Sequence, residues 1–350
     1  ITLAEGLKTK GYATAAIGKW HLGHLPQYLP TSNGFDTYFG IPYSNDMDRL
    51  ASAPKYREAL FKPKVEYFNV PLLRDTKEIE RPAEQRTITR RYTEETIKFI
   101  KAKKDKPFFV YLAHSLPHVP LFRDKPFVGV SKRGLYGDVI EEIDWSVGQV
   151  LKTLQDEGLA ENTLVWFTSD NGPWLIFDTH GGSAGLLRDG KGSTWEGGMR
   201  EPGIAWWPGK IKPHTSTAIA STMDIYTTCL TLAGAKVPQD RVVDGVNLSS
   251  VLFKGGKGPR DTMFFYRGEQ LYAVRKGAWK AHYITRAAYG RSQPEKHDPP
   301  ILYHLGHDPA EKHDLAKDNS AVLAEIAKVI QQHNAKLVRG ENQLNALIQK

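Results

Sequence analysis

An apolar run that ends in a carboxylate and an amide is the feature that most constrains how this chain can fold. Residues 163–169 lead directly into Asp170, Asn171 and Gly172. A short apolar run of this kind predicts a buried strand, and its carboxyl end would present two oxygen ligands. Side chains that offer only oxygen favour calcium or magnesium over zinc. The sequence therefore predicts a sheet whose edge can hold a hard cation.

Strands and helices alternate through the first 245 residues. Apolar residues recur at spacings of three and four in the helical segments, and Thr2 with Glu5 forms a capping-box pattern at the first of them. The predicted helices span residues 2–10, 87–101, 136–157 and 223–234, and the predicted strands span residues 12–20, 107–114, 163–169 and 203–207. This alternation favours an α/β fold with a parallel sheet covered by helices on both faces. Residues 49–86 interrupt it and are predicted to form a loop-and-hairpin insertion.

The pattern changes after about Gly245. Short strands separated by tight turns are predicted at residues 263–267, 270–276, 279–285 and 301–305, and the next predicted helix covers residues 321–337. This order indicates a small antiparallel sheet with one terminal helix. We therefore predict a catalytic domain over residues 1–245 and a C-terminal subdomain over residues 246–350.

Composition excludes several classes of function. The chain has 350 residues, of which 40% are hydrophobic, and its net charge is +8. The basic residues are dispersed and no nucleic-acid-binding motif accompanies them, so we expect no nucleic-acid partner. No apolar stretch reaches the length of a membrane span. The single cysteine, Cys229, lies in a predicted helix and is expected to be a small buried apolar residue, not a catalytic thiol.

Lys19 and His21 close the first predicted strand. They are two residues apart, so both side chains would project to the same face of an extended backbone. A cation and an imidazole aimed together suit an oxyanion with a proton to move. A surface lysine and a structural histidine are the alternative interpretation.

A second pair, His114 and His118, follows the strand predicted at residues 107–114. Their i, i+4 spacing imitates a zinc-binding helix, but Pro117 and Pro120 argue against a helix there. The two rings therefore need not converge. We predict that His118, on the loop, is a general-acid candidate and that His114 is a structural neighbour.

A glycine-rich segment, residues 190–198, carries Lys191. Glycines let backbone amides approach an anion closely, so Lys191 is a candidate oxyanion clamp. The segment is not a Walker motif, because it does not follow a strand and open a long helix.

Asp170 and Asn171 are too few to close a cation site, so further carboxylates would have to come from elsewhere. An Asx turn that ends the strand is the alternative for that pair.

These segments together resemble the sulfatase family, most closely the arylsulfatase A type. The resemblance covers nearly the whole chain in the right order, and several ordered matches are far more specific than any one of them. The matching segments are residues 18–23, 33–36, 40–46, His118, 169–172 and 190–198, followed by residues 273–282 and 302–309 for the C-terminal subdomain.

The resemblance implies an alkaline-phosphatase-like fold, in which helices sandwich a large mixed sheet, with a small C-terminal antiparallel sheet and a terminal helix. It implies a sulfate pocket and a metal site whose residues in this sequence are Lys19, His21, His118 and Lys191 for the pocket, Ser44 as a further substrate-binding candidate, and Asp170 and Asn171 for Ca²⁺ or Mg²⁺. The nucleophile would be a formylglycine, made from Cys or Ser by a formylglycine-generating or anaerobic sulfatase-maturing enzyme. The substrate would be a sulfated small molecule or glycan, and the location periplasmic, secreted or lysosomal.

The chain departs from the family pattern at its start. It begins at Ile1, and neither Cys229 nor any serine is followed by x-Pro-x-Arg. We expect that the nucleophile and an aspartate pair precede Ile1 in a longer protein. We also expect residues 1–350 alone to be inactive and poorly stable.

Two other functions are open. A phosphomonoesterase or phosphonate-ester hydrolase of the same superfamily is the first, and a Thr or unmodified Ser nucleophile would favour it. A noncatalytic sulfated-glycan binder is the second, and calcium-dependent retention on a sulfated glycan without turnover would favour it.

Overall fold

The computed structural model describes residues 1–289 and 292–340, so residues 290–291 and 341–350 of the predicted C-terminal subdomain lie outside the described residues. Within the described part the α-helices are α1 (Leu3–Lys8), α2 (Tyr56–Phe61), α3 (Ile88–Lys103), α4 (Gly134–Asp156), α5 (Glu196–Met199), α6 (Met223–Leu232), α7 (Ser249–Lys254) and α8 (Ser320–Lys336). The strands are β1 (Ala13–Gly18), β2 (Thr37–Gly40), β3 (Leu72–Arg74), β4 (Lys77–Glu80), β5 (Phe108–Ala113), β6 (Val165–Thr168), β7 (Gly203–Trp206), β8 (Thr262–Arg267), β9 (Gln270–Lys276), β10 (Trp279–Thr285) and β11 (Glu295–His304). No helix among the described residues has both the length and the apolar character that crossing a bilayer requires.

The chain forms two compact units. The first comprises Ile1–Ser183 and Glu201–Pro259, and the second comprises Ala184–Arg200 with the described residues of Arg260–Lys350. The second unit therefore takes its members from two separate stretches of sequence, and the segment that carries Lys191 belongs to it. The boundary predicted between residues 245 and 246 stays a prediction for the functional domains.

A five-stranded mixed sheet, in the order β4-β3-β2-β1-β5, forms the centre of the first unit. β1 pairs in parallel with both β2 and β5, whereas β3 and β4 add an antiparallel hairpin beyond β2. The predicted large mixed sheet is thus confirmed. Two details differ from the sequence prediction, because the hairpin from residues 49–86 extends the sheet and β2 has no counterpart among the predicted strands.

Helices cover both faces of this sheet. Ala13, Ala15 and Ile17 of β1 join the core cluster that contains residues of α3 and α4, whereas Ala16 joins a second cluster with Ala4 of α1. This alternation follows from the two-residue period of a strand. The small residues of β1 let helices approach closely on both sides, and every residue of the strand is buried. The first helix begins with the predicted capping box between Thr2 and Glu5.

The predicted position and burial of two strands, β5 and β6, differ from those in the structure. The continuous apolar run of residues 108–113 is typical of a central strand that is buried on both faces, yet β5 is the last strand of the described sheet and Tyr111 on it is 44% exposed. The run at residues 163–169 predicts a buried strand of the parallel sheet, yet β6 pairs only with β7 among the described residues, in the antiparallel direction, and Phe167 is 36% exposed. Apolar content predicts a strand, but it does not identify the strand's neighbours or their direction.

The second unit contains a four-stranded antiparallel sheet in the order β11-β10-β9-β8. Helix α8 packs on one face of it, where Val274, Ala281 and Ile326 form a buried cluster. The predicted small C-terminal sheet with a terminal helix is therefore confirmed. β11 is longer than predicted, since it begins at Glu295.

Close backbone contact at the carboxyl ends of β1 and β2 generates the first prediction. A Cβ atom on Gly40 would lie 1.7 Å from the carbonyl oxygen of Gly18, so the two strands would have to separate. We expect Gly40→Ala to lower the free energy of unfolding by about 3 kcal/mol or more in chemical denaturation. Gly203→Ala in β7 is the control, because a Cβ there meets no heavy atom within 4 Å. Equal stability of the two variants would contradict this packing.

His114, directly after β5, is enclosed beneath α3 and α4. Its Nε2 lies 3.2 Å from the Ser146 hydroxyl, and its Nδ1 has no hydrogen-bond partner among the described residues. Burial lowers the pKa of His114 from 6.5 to about 4. The residue agrees with the expectation of a structural neighbour and is neutral at physiological pH.

A pH dependence of stability follows from that pKa. The unfolded chain takes up a proton near pH 6.5 and the folded chain only near pH 4, so stability present above pH 6.5 is lost as the pH falls towards 4. The loss from this group amounts to about 3 kcal/mol. His114→Gln keeps a neutral hydrogen-bonding side chain, and we expect its unfolding free energy to fall less over that range than the wild type's. Parallel pH profiles for the two proteins would contradict this account.

Candidate active site

The carboxyl ends of β2, β1 and β5 meet at one edge of the central sheet. These three strands are adjacent and parallel, so the residues that follow them emerge on the same side. Lys19 and His21 follow β1, Ser44 follows β2, and His118 follows β5. Four of the residues predicted from sequence therefore belong to connections that leave a single sheet edge.

Backbone hydrogen bonds carry this convergence past the strand ends. The amide of Lys19 donates to the carbonyl of Ala113 at 2.7 Å, and the amide of His21 donates to that of Pro42 at 3.0 Å. β1 ends at Gly18, however, and His21 has a φ of 56°, which is left-handed. The expectation that Lys19 and His21 lie on one extended strand is therefore wrong. Left-handed backbone costs free energy for a residue with a side chain and often marks a functional position.

His118 is held by the loop that follows β2. Its Nδ1 lies 2.7 Å from the carbonyl oxygen of Val119 and 3.5 Å from the Ser44 hydroxyl. Asn45, which is completely buried, donates from its side-chain amide to the carbonyls of His118 and Pro120 at 3.3 and 3.1 Å. Sequence analysis missed Asn45, because nothing in a lone asparagine predicts that it bridges two distant loops.

These contacts determine how the His118 ring can exchange a proton. A carbonyl oxygen only accepts, so the 2.7 Å contact with Val119 places the proton on Nδ1. In the neutral ring, Nε2 then carries no proton and can accept one. The Trp174 ring packs 5.2 Å from the imidazole, centroid to centroid. The ring is thus fixed in position, with Nδ1 donating a hydrogen bond to the backbone.

Asp170 and Asn171 follow β6, as predicted, and the antiparallel partner β7 brings a further carboxylate beside them. Thr168 pairs with Gly203, so Glu201 lies next to the end of β6. Burial first, and the charge of Asp170 second, raise the pKa of Glu201 to about 7 despite a hydrogen bond from Ser169. Partial burial and, secondarily, the same Asp170 charge also raise the pKa of Tyr111 on β5. The charge of Asp170 therefore acts on both Glu201 and Tyr111.

The chemistry of this group fits a hard cation. The carboxylate of Asp170 and the amide oxygen of Asn171 are ligands that calcium and magnesium accept, and Glu201 Oε1 is enclosed without a hydrogen-bond partner within the described residues. The described residues nevertheless include no cluster of three or more His, Cys, Asp or Glu side chains placed to hold a metal. Sequence analysis missed Glu201, because its position depends on the antiparallel direction of β7.

Lys191 is part of the second unit. It lies at a turn in which the amide of Ser193 donates to the carbonyl of Gly190 at 3.1 Å, and Gly192 has a φ of 90°. A left-handed backbone of this kind favours glycine. The structure thus brings Lys19, His21, Ser44 and His118 to one edge, while the position of Lys191 beside them stays a prediction.

Cys229 lies in α6 and is half-buried, and burial raises the pKa of its thiol to about 11.

Comparison with known proteins agrees with this arrangement. The sulfatase family model matches residues 2–235, and a model described as the C-terminal region of aryl-sulfatase matches residues 258–350. N-acetylgalactosamine-6-sulfatase of Canis lupus familiaris is 40% identical over 374 residues, which cover 98% of this chain and 70% of that protein. Arylsulfatase A of Bos taurus is 37% identical over 360 residues, covering 95% and 70%.

A solved structure shows the same architecture. The PsFucS1 sulfatase from Pseudoalteromonas sp. superimposes with a TM-score of 0.84 at 28% identity, covering 96% of this chain and 72% of that one. Similarity therefore extends through both units, in sequence and in fold. The chain belongs to the sulfatase family, a family of sulfuric ester hydrolases within the alkaline phosphatase superfamily.

Proposed function

We propose that the protein hydrolyses a sulfate monoester of a sulfated small molecule or glycan at the carboxyl edge of β2, β1 and β5. The reaction consumes water and releases an alcohol and hydrogen sulfate. The observation that carries the proposal is the exit of Lys19, Ser44 and His118 from one parallel edge. The similarity to N-acetylgalactosamine-6-sulfatase supports a sulfated sugar as the substrate class.

His118 is the proposed general acid. With Nδ1 committed to the Val119 carbonyl, a proton on Nε2 can pass to the ester oxygen as the sulfur–oxygen bond breaks. Asn45 and Ser44 hold the histidine from the neighbouring loop. The acid is therefore positioned before the substrate binds, which lowers the cost of reaching the transition state.

The lysines and His21 have complementary roles in this proposal. Lys19 and Lys191 bind sulfate oxygens and stabilise the negative charge that develops in the transition state. Ser44 is a further hydrogen-bond donor to the substrate. His21 accepts a proton as sulfate is released, which restores the starting protonation of the site.

Two further components are part of the proposal. Asp170 and Asn171 would hold Ca²⁺, or Mg²⁺, which when bound offsets charge on sulfate oxygens. A formylglycine produced by a maturation enzyme would supply the nucleophile from residues outside this sequence, because no Cys or Ser in it is followed by x-Pro-x-Arg. Family membership supports both, and it also supports a periplasmic, secreted or lysosomal location.

The role of His118 can be tested by its dependence on the leaving group. A sugar alkoxide needs a proton to leave, whereas a nitrophenolate does not. We expect His118→Ala to lower kcat on a sugar sulfate by about 10²–10⁴-fold and to affect 4-nitrophenyl sulfate much less. The measurement uses steady-state kinetics of the protein expressed from its complete reading frame together with a maturation enzyme.

His114→Gln is the control for this test, because the His114 ring contacts the Ser146 hydroxyl and His114 is not one of the proposed sulfate-binding residues. We expect it to keep both activities near neutral pH. Equal losses on the two substrates in His118→Ala would exclude the general-acid role. Faster hydrolysis of phosphate or phosphonate esters would overturn the sulfatase proposal, as would retention on a sulfated glycan without any turnover.

The cation can be tested without measuring activity. We expect calorimetric titration of metal-depleted protein with Ca²⁺ to show binding, and Ca²⁺ to raise Tm, because a ligand that binds only the folded state stabilises it. Asp170→Asn should weaken that binding by about tenfold or more. Asp178→Asn is the control, since Asp178 is exposed and pairs with Arg57. Identical Tm values with and without Ca²⁺ or Mg²⁺ would contradict the cation proposal.

A further inference from the structure

Four ionisable side chains are buried together in the second unit. Lys280, His282 and Glu311 are completely buried and Glu196 is 2% exposed. Lysine and glutamate are almost never enclosed in this way unless they are paired. The four residues come from strand β10, from the loop after β11 and from the segment that carries Lys191.

Their contacts form one closed network. Lys280 Nζ lies 2.8 Å from Glu196 Oε1 and 3.3 Å from Glu311 Oε1. His282 Nε2 donates to Glu311 Oε1 at 2.7 Å, and Glu311 Oε2 accepts the backbone amide of Glu196 at 2.7 Å. Glu311 thus holds both a lysine on the sheet and the backbone of the Lys191 segment.

The charges in this network are consistent with its geometry. Burial lowers the pKa of His282 to about 4, so the ring is neutral and donates from Nε2. Burial alone would raise the pKa of Glu311, but the His282 hydrogen bond and the Lys280 charge outweigh it and hold that pKa below its ordinary value. Glu311 is therefore a carboxylate, and Lys280 is its buried counter-charge.

Glu196 also lies between two like charges that the strand register places opposite each other. Lys280 on β10 lies directly opposite Arg275 on β9, and like charges in that position repel each other. Glu196 lies between them, with Oε2 3.8 Å from Arg275 Nη1. Ala281, by contrast, packs towards α8. The network therefore occupies the face of the sheet opposite α8.

The segment with Lys191 is attached to this network at both ends. On one side, Arg188 donates to the Glu311 carbonyl at 2.7 Å and lies over the Trp195 ring, 3.6 Å from its centroid. The amide of Gly197 donates to the Arg188 carbonyl at 2.8 Å and closes the segment into a loop. Glu196 anchors the other side through Lys280 and Glu311. Lys191 lies within the loop, between these two anchors.

We propose that Lys280 and Glu311 are positioning residues that act through Lys191, by fixing the loop of residues 188–197 on the C-terminal sheet. A buried ion pair contributes little net stability compared with apolar packing, but it selects one arrangement of the groups that it joins. The catalytic part of the inference rests on the proposed role of Lys191, whereas the fixing of the loop does not.

Hydrogen exchange tests the fixing of the loop. In Lys280→Met, we expect peptides that cover residues 188–197 to exchange about tenfold faster or more, because the buried partner of Glu196 and Glu311 is lost. Lys276→Met is the matched control: it lies in the same sheet and loses ion pairs to Asp261 and Glu325, but it has no contact with the loop in the network described above. Unchanged exchange of the loop in a folded Lys280→Met protein would overturn the proposal.

A double-mutant cycle tests whether the network acts through Lys191. We expect Lys280→Met to lower kcat/KM by about tenfold or more in the wild type, but by less than about twofold when Lys191 is already alanine. Losses that multiply would overturn the catalytic part. Should Lys280→Met not fold, Glu311→Gln serves in both experiments, and it should change loop exchange and kcat/KM in the same directions.

The two proposals fail in different ways. If the wild type hydrolyses no sulfate ester, the proposed function is wrong and the exchange experiment alone decides whether the loop is fixed by the network. If the wild type is active and Lys191→Ala loses nothing, the catalytic part is overturned while the sulfatase proposal survives.

Discussion

The parallel pairing of β1 with β2 on one side and β5 on the other determines where the candidate site residues of the first unit lie. It directs three chain connections to one edge, and those connections carry Lys19, His21, Ser44 and His118. The close approach of Gly18 and Gly40 keeps the strands in contact up to that edge. Beyond it, amide-to-carbonyl bonds hold the backbone of Lys19 and His21 to the end of β5 and to the loop after β2, whereas the side chains of Ser44 and Asn45 contact His118 and its backbone.

The second unit differs from the first, because Lys191 lies on a loop rather than at the end of a strand. Loops are mobile unless their ends are held, and a lysine with the role that we propose for Lys191 cannot vary in position by much. Here both ends of the loop are joined to Glu311, through Arg188 on one side and Glu196 on the other. In this proposal the buried ions fix the backbone that carries Lys191, as strand pairing fixes the backbone next to Lys19.

Local signals predicted the local structure well. The capping box of α1 and the apolar spacing of α4 depend only on neighbouring residues, and both helices begin within two residues of the predicted positions. Tertiary partners were not predictable in the same way. β2 has only four residues and forms because β1 lies beside it, while the direction of β7, and with it the position of Glu201, is set by pairing with β6. The buried partners of Lys280 and His282 in β10, Glu196 and Glu311, lie far from them or on another element, so no local pattern predicted this network.

We propose that the sulfate group binds beyond the carboxyl ends of β1, β2 and β5. A crystal structure of the protein from its complete reading frame, soaked with a non-hydrolysable sulfamate analogue of a sugar sulfate, tests it most directly. We expect the sulfur at that edge, with Lys19 and His118 Nε2 within hydrogen-bond distance of the ligand, about 3 Å. Binding of the analogue at another surface, with these two residues far from it, would contradict the claim.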